Sequence, residues 1–200
     1  MRKAWFCLNA SCFSVPISVT PPIETAMQLY YATRDGQARR IAERLASRLG
    51  ELGIAAEPQD LATPSPLACT APVVVVAAVR YGKHLPEAER FLARLSKLAA
   101  PPPLVLLSVN LTARKPGRDS LEGCTYLKKS IRRHKLRPTL ALAFAGRLDY
   151  ASYGWLDRQM IRMIMLLTGG PTDPKTSTEY TSWDKVDAVA RQIAGLCAAR

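Results

Sequence analysis

The feature that most constrains this chain is the apolar run at residues 72–79, which reads PVVVVAAV. It contains four consecutive valines and has no polar side chain on either face of an extended backbone. A strand that is apolar on both faces belongs inside a parallel sheet with helices covering both sides. Residues 104–109, which read LVLLSV, form a second run of this kind. The two runs favour an α/β fold.

Strands and helices alternate along the rest of the chain. In residues 38–52, for example, apolar residues recur at helical spacing and charged residues occupy the opposite face. The pattern predicts strands at 27–33, from 54 onward, at 72–79, at 104–109 and at 139–145, and helices at 38–52, 86–98, 121–135, 153–167 and 182–198. Five strands alternating with helices predict a flavodoxin-like, doubly wound, five-stranded parallel sheet with helices on both faces.

Residues 1–26 differ in composition from the segment that follows them. Arg2 and Lys3 precede a short apolar stretch that ends at Asn9, and three prolines follow. This stretch lacks the uninterrupted apolar core of about 7–15 residues that a signal peptide needs. We expect residues 1–26 to be a disordered extension, or translated sequence upstream of a start at Met27, and residues 27–200 to form one domain.

The charge of the chain is strongly basic and unevenly distributed. There are 28 Lys and Arg against 16 Asp and Glu, a formal net charge of +12. Residues 112–140 hold nine of the cations and two of the acids. Such an excess indicates an anionic partner, which could be nucleic acid, anionic lipid or a carboxylate substrate. Five scattered cysteines without a CxxC pair, and two histidines, predict neither a disulfide framework nor a metal site.

Ligands of an open parallel sheet bind beyond the carboxyl ends of its strands, where this chain has loops at 33–38, 79–84, 108–116 and 146–152. The first loop reads TRDGQA. Its hydroxyl, its glycine and the free N–H groups of the following helix can cradle a phosphate. It matches neither GxGxxG nor GxxxxGK[ST], so it suits a monophosphate such as that of FMN. An ordinary turn capped by Asp35 is the alternative.

The second and third loops carry aromatic, amide and cationic side chains. Tyr81 can lie against a planar ring, and His84 can exchange a hydrogen bond or a proton with a ligand. A simply solvated His84 is the alternative. Asn110 can bind the polar edge of a ring, while Arg114 and Lys115 open the basic stretch.

Residues 153–167 predict an amphipathic helix that begins with Tyr and Trp. Its apolar stripe consists of Trp155, Leu156, Met160, Met163, Ile164 and Leu167. Such a helix either packs on the sheet or lies at a lipid headgroup boundary. The sequence leaves both alternatives open.

Four segments together resemble one known family. They are TRDGQ at 33–37, RYG at 80–82, SVNLTARKP at 108–116 and the stretch from Trp155 through Gly169 and Gly170. In this order, over about residues 27–200, they resemble the quinone-dependent protoporphyrinogen IX dehydrogenases, which are flavodoxin-like, FMN-containing enzymes of haem biosynthesis. The chain departs from the family at Ala32 and Ala38, where hydroxyl residues are usual, and in residues 1–26.

The resemblance implies FMN as cofactor, protoporphyrinogen IX as substrate, and menaquinone or ubiquinone as electron acceptor. It implies FMN contacts from three loops, through Thr33, Arg34, Asp35, Gly36 and Gln37, through Arg80, Tyr81 and Gly82, and through Ser108, Val109, Asn110 and Leu111. The two propionates of the substrate need cations, for which the candidates are Arg114, Lys115, Arg132 and Arg133. His84 and Tyr81 are the candidate catalytic residues.

The family chemistry also accounts for the basic charge. The insert at 112–137 is basic and the helix at 153–167 is amphipathic. We therefore expect a peripheral protein that docks on an anionic membrane surface, at the cytoplasmic side of the inner membrane. Nucleic acid is then not expected as a partner, and a homo-oligomer is left open. The alternatives are a flavodoxin-type electron carrier, disfavoured because such carriers are usually acidic, an FMN-dependent NAD(P)H:quinone reductase, and a non-enzymatic module that binds anionic surfaces.

Overall fold

The computed structural model describes residues 27–63, 71–149 and 177–198, together with Gln159, Met163 and Leu166. Residues 1–26, and all of the predicted helix 153–167 except those three residues, lie outside the described part of the chain. The three residues are helical, and the side chains of Met163 and Leu166 are exposed.

The described strands and helices follow the predicted alternation. The strands are β1 (Met27–Ala32), β2 (Ala56–Asp60), β3 (Val73–Arg80), β4 (Lys83–His84), β5 (Leu104–Val109), β6 (Leu140–Phe144), β7 (Arg147–Asp149) and β8 (Ser177–Glu179). The helices are α1 (Gln37–Glu51), α2 (Pro86–Leu95), α3 (Thr125–His134) and α4 (Trp183–Ala198), and a 3-10 helix spans Leu111–Arg114.

Five of the strands form one parallel sheet in the order β2-β1-β3-β5-β6. The central strand is β3, in which Val74 pairs with Leu29 of β1 and with Val105 of β5. Residues 73–76 of this strand are completely buried. The predicted five-stranded, doubly wound sheet is confirmed.

The two faces of the sheet are covered by different helices. On one face, α1 and α4 pack against alternate strand residues such as Leu29 and Val74. On the other face, α2 and α3 pack against the intervening residues, such as Tyr30 and Val75. Successive strand side chains point to opposite faces, so the four consecutive valines of β3 divide between two cores.

Several elements are shorter than the sequence pattern predicts. The second strand begins at Ala56 rather than at residue 54, because Ile54 N–H donates to the carbonyl oxygen of Leu49 and closes the end of α1. Helix α2 ends at Leu95. After it, Leu98 N–H donates to the carbonyl oxygen of Leu95, three residues back, in a turn tighter than that of an α-helix. Apolar spacing continues through such turns, so periodicity alone overestimates the length of a helix.

Three short features were not predicted. They are β4, which pairs antiparallel with the end of β3, the 3-10 helix, and the antiparallel pair of β7 and β8. Within the described ranges, no helix is long and apolar enough to cross a membrane, and no group of three or more His, Cys, Asp or Glu side chains could hold a metal ion.

Candidate functional site

The loop between β1 and α1 leaves an anion-binding position open. Gly36 precedes α1 with φ of +80°, a left-handed conformation that glycine adopts easily. No described side chain caps this helix and its first turn has no acidic residue. Its first N–H groups and the positive end of its dipole can therefore bind an anion. A Cβ atom at Gly36 would meet nothing within 4 Å.

Thr33 adds an unsatisfied hydroxyl to the same loop. Its Oγ1 is buried and has no hydrogen-bond partner among the described residues. Buried polar atoms are nearly always hydrogen-bonded, and one left unpaired costs about 1–3 kcal/mol. The hydroxyl and the helix N-terminus together fit a phosphate group, and the binding of a phosphate here stays a prediction. We call residues 33–36 the phosphate loop.

Gln37, which was predicted to bind the phosphate, uses its side chain elsewhere. Its Nε2 donates to Glu179 Oε1 at 3.0 Å and to Thr181 Oγ1 at 2.9 Å, and its Oε1 accepts from Arg40 Nη1 at 3.0 Å. Thr181 Oγ1 in turn donates to the carbonyl oxygen of Ala145, just after β6. The side chain of Gln37 thus ties the phosphate loop to the segment after β8, and only its backbone N–H is left for a ligand.

The chain reverses between β3 and β4 in a tight turn, which we call the β3–β4 hairpin. Val79 pairs with His84 and Arg80 with Lys83, so Tyr81 and Gly82 form a two-residue turn. Their φ angles are +51° and +75°, as in a type I′ turn. The ring of Tyr81 is 60% exposed at the tip of the hairpin. This position suits the predicted contact with a planar ring.

An ion pair links the hairpin to the phosphate loop. Arg80 Nη1 lies 3.2 Å from Asp35 Oδ1, and the Arg80 guanidinium also lies over the ring of Tyr81, 5.6 Å from its centre. Asp35 therefore does not cap α1, which was the alternative interpretation of this loop. The charges of Asp35 and Arg80 neutralise each other, so a ligand that bound either side chain would compete with this ion pair.

His84 is buried rather than solvated. Its Nε2 is 3.0 Å from Ser108 Oγ, and its Nδ1 is 3.6 Å from Glu89 Oε1 of α2. Glu89 Oε2 also accepts from His134 Nε2 at 2.8 Å and from Arg133 Nη1 at 3.0 Å. His84 chiefly, with His134 and Arg133, lowers the pKa of Glu89 to about 2, against an opposing effect of burial. Both ring nitrogens of His84 thus face protein groups, and its catalytic role stays a prediction.

The side chains after β5 are also engaged by the protein. Asn110 Oδ1 accepts from Ala113 N–H at 3.0 Å and from Thr112 Oγ1 at 2.6 Å, which caps the 3-10 helix. Asn110 Nδ2 donates to Ser108 Oγ, and Val109 is buried. Leu111 is partly exposed. Flavin contacts from this loop stay a prediction, and they would fall to its backbone and to Leu111.

A cleft of about 570 Å³ lies between the phosphate loop, the end of β2 and the hairpin. The predicted residues Thr33, Arg34, Arg80, Tyr81 and His84 line it. Its volume is within the range of about 300–1,000 Å³ that is usual for small-molecule sites. Three loops were predicted to contact FMN, and the structure brings the first two of them to one cleft. The third, after β5, is connected to the cleft through the contact of Ser108 with His84.

The four cations predicted for substrate carboxylates fall into two groups. Arg114 Nη1 donates to the carbonyl oxygen of Leu111 and Arg133 binds Glu89, so both side chains already have partners. Lys115 and Arg132 are exposed and form no ion pair with a described residue. Their binding of a carboxylate stays a prediction.

Sequence reasoning missed Glu89 and the partners of Gln37. Glu179 and Thr181 are 142 and 144 positions from Gln37 along the chain, and no local pattern relates such residues. Glu89 is one of two acids on α2, and its sequence neighbours do not indicate that it is shared between two histidines and an arginine.

The chain is similar to known proteins over most of its length. The flavodoxin domain family matches residues 28–175 of the chain. Protoporphyrinogen IX dehydrogenase (quinone) of Escherichia coli K12 is 36% identical over 175 residues, which cover 84% of this chain and 94% of that protein. The protein of the same name from Leishmania major is 30% identical over 171 residues, which cover 84% of this chain and 74% of that protein.

A solved structure gives the same fold at much lower identity. Rubredoxin oxygen:oxidoreductase from Desulfovibrio gigas superposes with a TM-score of 0.52 at 11% identity, covering 88% of this chain and 36% of that chain. At this identity the likeness concerns the fold alone.

The lowered pKa of Glu89 predicts how stability depends on pH. The pKa is about 2 in the folded protein against a usual 4.5, so the stabilisation from ionised Glu89 is fully present above about pH 4.5 and is lost as the pH falls toward about 2. We expect the gap in urea midpoint between the wild type and Glu89→Gln to close over this pH range. Glu122→Gln, which removes an exposed carboxylate, is the control and should show no such change. A gap for Glu89→Gln that does not depend on pH would contradict the prediction.

Proposed function

The chain belongs to the quinone-dependent protoporphyrinogen IX dehydrogenase family of flavodoxin domain proteins, and on this premise we propose that it oxidises protoporphyrinogen IX to protoporphyrin IX in haem biosynthesis, with FMN as cofactor and a quinone as electron acceptor. The family resemblance predicted from the sequence motifs is thereby confirmed. A flavodoxin domain implies a flavin. We propose that this flavin is FMN and that the phosphate loop binds its phosphate.

The observation that carries the proposal is the phosphate loop. An unpaired buried hydroxyl at Thr33 and an uncapped helix N-terminus after Gly36 lie together in one short loop. One loop of this size suits a monophosphate, whereas a dinucleotide needs a longer glycine-rich turn. FMN is the flavin that carries a single terminal phosphate. The chain lacks hydroxyls at Ala32 and Ala38, so Thr33 and the backbone N–H groups would provide the phosphate contacts.

An exposed aromatic ring and an exposed cation suit the rest of the reaction. FMN, when bound, supplies the two-electron redox chemistry. The exposed Tyr81 ring offers a flat apolar surface at the hairpin tip. Lys115 is an exposed cation that is available to a propionate of the substrate.

The basic charge supports docking on an anionic membrane surface, where the quinone lies. Lys128, Lys129 and Arg132 are exposed on one side of α3, and the exposed Lys135 follows directly after the last residue of this helix. Each such cation near an anionic lipid surface contributes about 1 kcal/mol. We place the protein at the cytoplasmic side of the inner membrane as a peripheral protein, with this face of α3 toward the lipid.

The activity is tested by anaerobic mixing of the FMN-loaded protein with protoporphyrinogen IX and then with a quinone. We expect the visible absorbance of oxidised flavin to bleach with the porphyrinogen and to return with the quinone. An NAD(P)H:quinone reductase would instead bleach with NAD(P)H and not with the porphyrinogen. Protein that stays colourless after incubation with FMN would contradict the proposal.

The variant Thr33→Val tests the phosphate loop directly. Because the wild-type hydroxyl is buried without a partner, we expect its removal to leave the stability of the flavin-free protein unchanged or to raise it. FMN should bind more weakly by roughly 10- to 100-fold, as expected when one hydrogen bond to a charged group of about 1.5–3 kcal/mol is lost. Thermal unfolding without FMN and fluorescence titration with FMN measure the two effects.

Thr139→Val provides the matched control, since Thr139 is exposed and lies at the opposite edge of the sheet, just before β6. It should change FMN affinity by less than about twofold. Equal FMN affinity of Thr33→Val and wild type would show that this hydroxyl does not bind the phosphate.

Membrane docking is tested with the triple variant Lys128→Glu, Lys129→Glu and Arg132→Glu. We expect the wild type to sediment with vesicles that contain anionic phospholipid and not with neutral vesicles, and we expect added salt to weaken binding, because surface charges are screened. The triple variant should lose vesicle binding.

A second triple variant, Arg39→Glu, Arg90→Glu and Arg191→Glu, changes the net charge by the same amount on other helices. It should retain most of the binding. Equal loss in both triple variants would show that total charge, rather than this face of α3, determines binding.

A further inference from the structure

A polar network runs through the core beneath the β3–β4 hairpin. It starts at Ser108 of β5, which is completely buried, and continues through His84 of β4 to Glu89 of α2. From Glu89 it reaches Arg133 and His134 at the end of α3. The side chain of His84 is 1% exposed and that of Glu89 is 16% exposed. The network therefore joins the sheet, the hairpin and both helices of this face.

The His84 ring is held between groups on two sides. Its Nδ1 faces the Glu89 carboxylate at 3.6 Å, and its Nε2 lies 3.0 Å from Ser108 Oγ. Ser108 Oγ also accepts from Asn110 Nδ2 at 3.2 Å. Glu89 remains ionised because its pKa is about 2. The carboxylate on one side and the Ser108 hydroxyl on the other thus orient the imidazole.

The hairpin depends on such an anchor. Its two strands share two residue pairs, Val79 with His84 and Arg80 with Lys83, and Leu85 N–H after β4 donates to the carbonyl oxygen of Ala78. Its turn holds Tyr81 at φ of +51°, a conformation that is uncommon for a bulky residue and is maintained only where the surroundings enforce it. His84 is where the chain returns to the sheet, and its ring is the part of β4 that is buried in the core.

We propose that Glu89 is a positioning residue which, through His84, fixes the β3–β4 hairpin and so holds the Tyr81 ring against the flavin. The proposal rests on the proposed function, because it requires a flavin in the cleft. Glu89 does not line the cleft among the described residues, whereas His84 and Tyr81 do. Its effect on the ligand is therefore indirect and passes through the hairpin.

A double-mutant cycle distinguishes this role from general stabilisation. The FMN dissociation constant is measured by fluorescence titration for the wild type, Glu89→Gln, Tyr81→Ala and the double variant. Glu89→Gln should weaken FMN binding by about tenfold in the wild-type background. In the Tyr81→Ala background it should change binding by less than about twofold, because residues that act through one another are not additive. The same factor in both backgrounds, or no change in either, would overturn the proposal.

Asp187→Asn is the matched control. Asp187 of α4 is also a carboxylate shared between cations, since Arg44 lies 2.7 Å and Arg48 lies 3.0 Å from it. Its side chain is 13% exposed and it lies on the opposite face of the sheet. This variant should lower thermal stability and leave FMN affinity within about twofold of the wild type. An equal loss of affinity in Asp187→Asn would show that destabilisation alone weakens binding, and would overturn the proposal.

If Glu89→Gln does not fold, Ser108→Ala replaces it in the double-mutant cycle with Tyr81→Ala. It removes the partner of His84 Nε2 at the other end of the ring, and it should give the same pattern of a large effect alone and a small effect beside Tyr81→Ala. Additive effects would again overturn the proposal. A wild-type protein that binds no FMN would overturn the proposed cofactor together with this inference, whereas normal binding with additive effects overturns this inference alone.

Discussion

The parallel pairing of β3 between β1 and β5 is the constraint on which the rest of the structure depends. Parallel neighbours require a crossover connection, so a helix can lie between successive strands. Because the valines of β3 are buried on both faces, helices must cover both sides of the sheet. All five strands then point the same way, and their carboxyl ends meet at one edge. The candidate site occupies that edge as a direct result of this pairing.

At that edge, several charged groups are paired with one another, whereas two uncharged groups of the phosphate loop are not. Asp35 binds Arg80, and Glu89 is shared by His84, His134 and Arg133. Among the described residues, the hydroxyl of Thr33 has no hydrogen-bond partner and no side chain caps the start of α1. Charges that are already paired stabilise the fold and the geometry of the cleft. Groups that the protein leaves unsatisfied are where a ligand gains the most from binding.

The fold was largely predictable because burial on a strand or helix face repeats locally. The valine run of β3 and the apolar stripe of α1 each indicate their element without any knowledge of the partner. The short hairpin strand β4 has only two residues and leaves no such pattern. The pair β7 and β8 joins segments that lie far apart along the chain. The helix predicted at 153–167 lies almost entirely outside the described residues.

By itself, the sequence determined the fold class, the edge of the sheet where a ligand binds, and the motifs that resemble one enzyme family. Only the tertiary structure decided which side chains at that edge remain available to a ligand. Gln37 and Asn110 have protein partners, as does Arg133, whereas Thr33 has none among the described residues. The physical reason is that periodic burial is encoded by neighbours in the chain, while hydrogen-bond partners come from residues that only folding brings together.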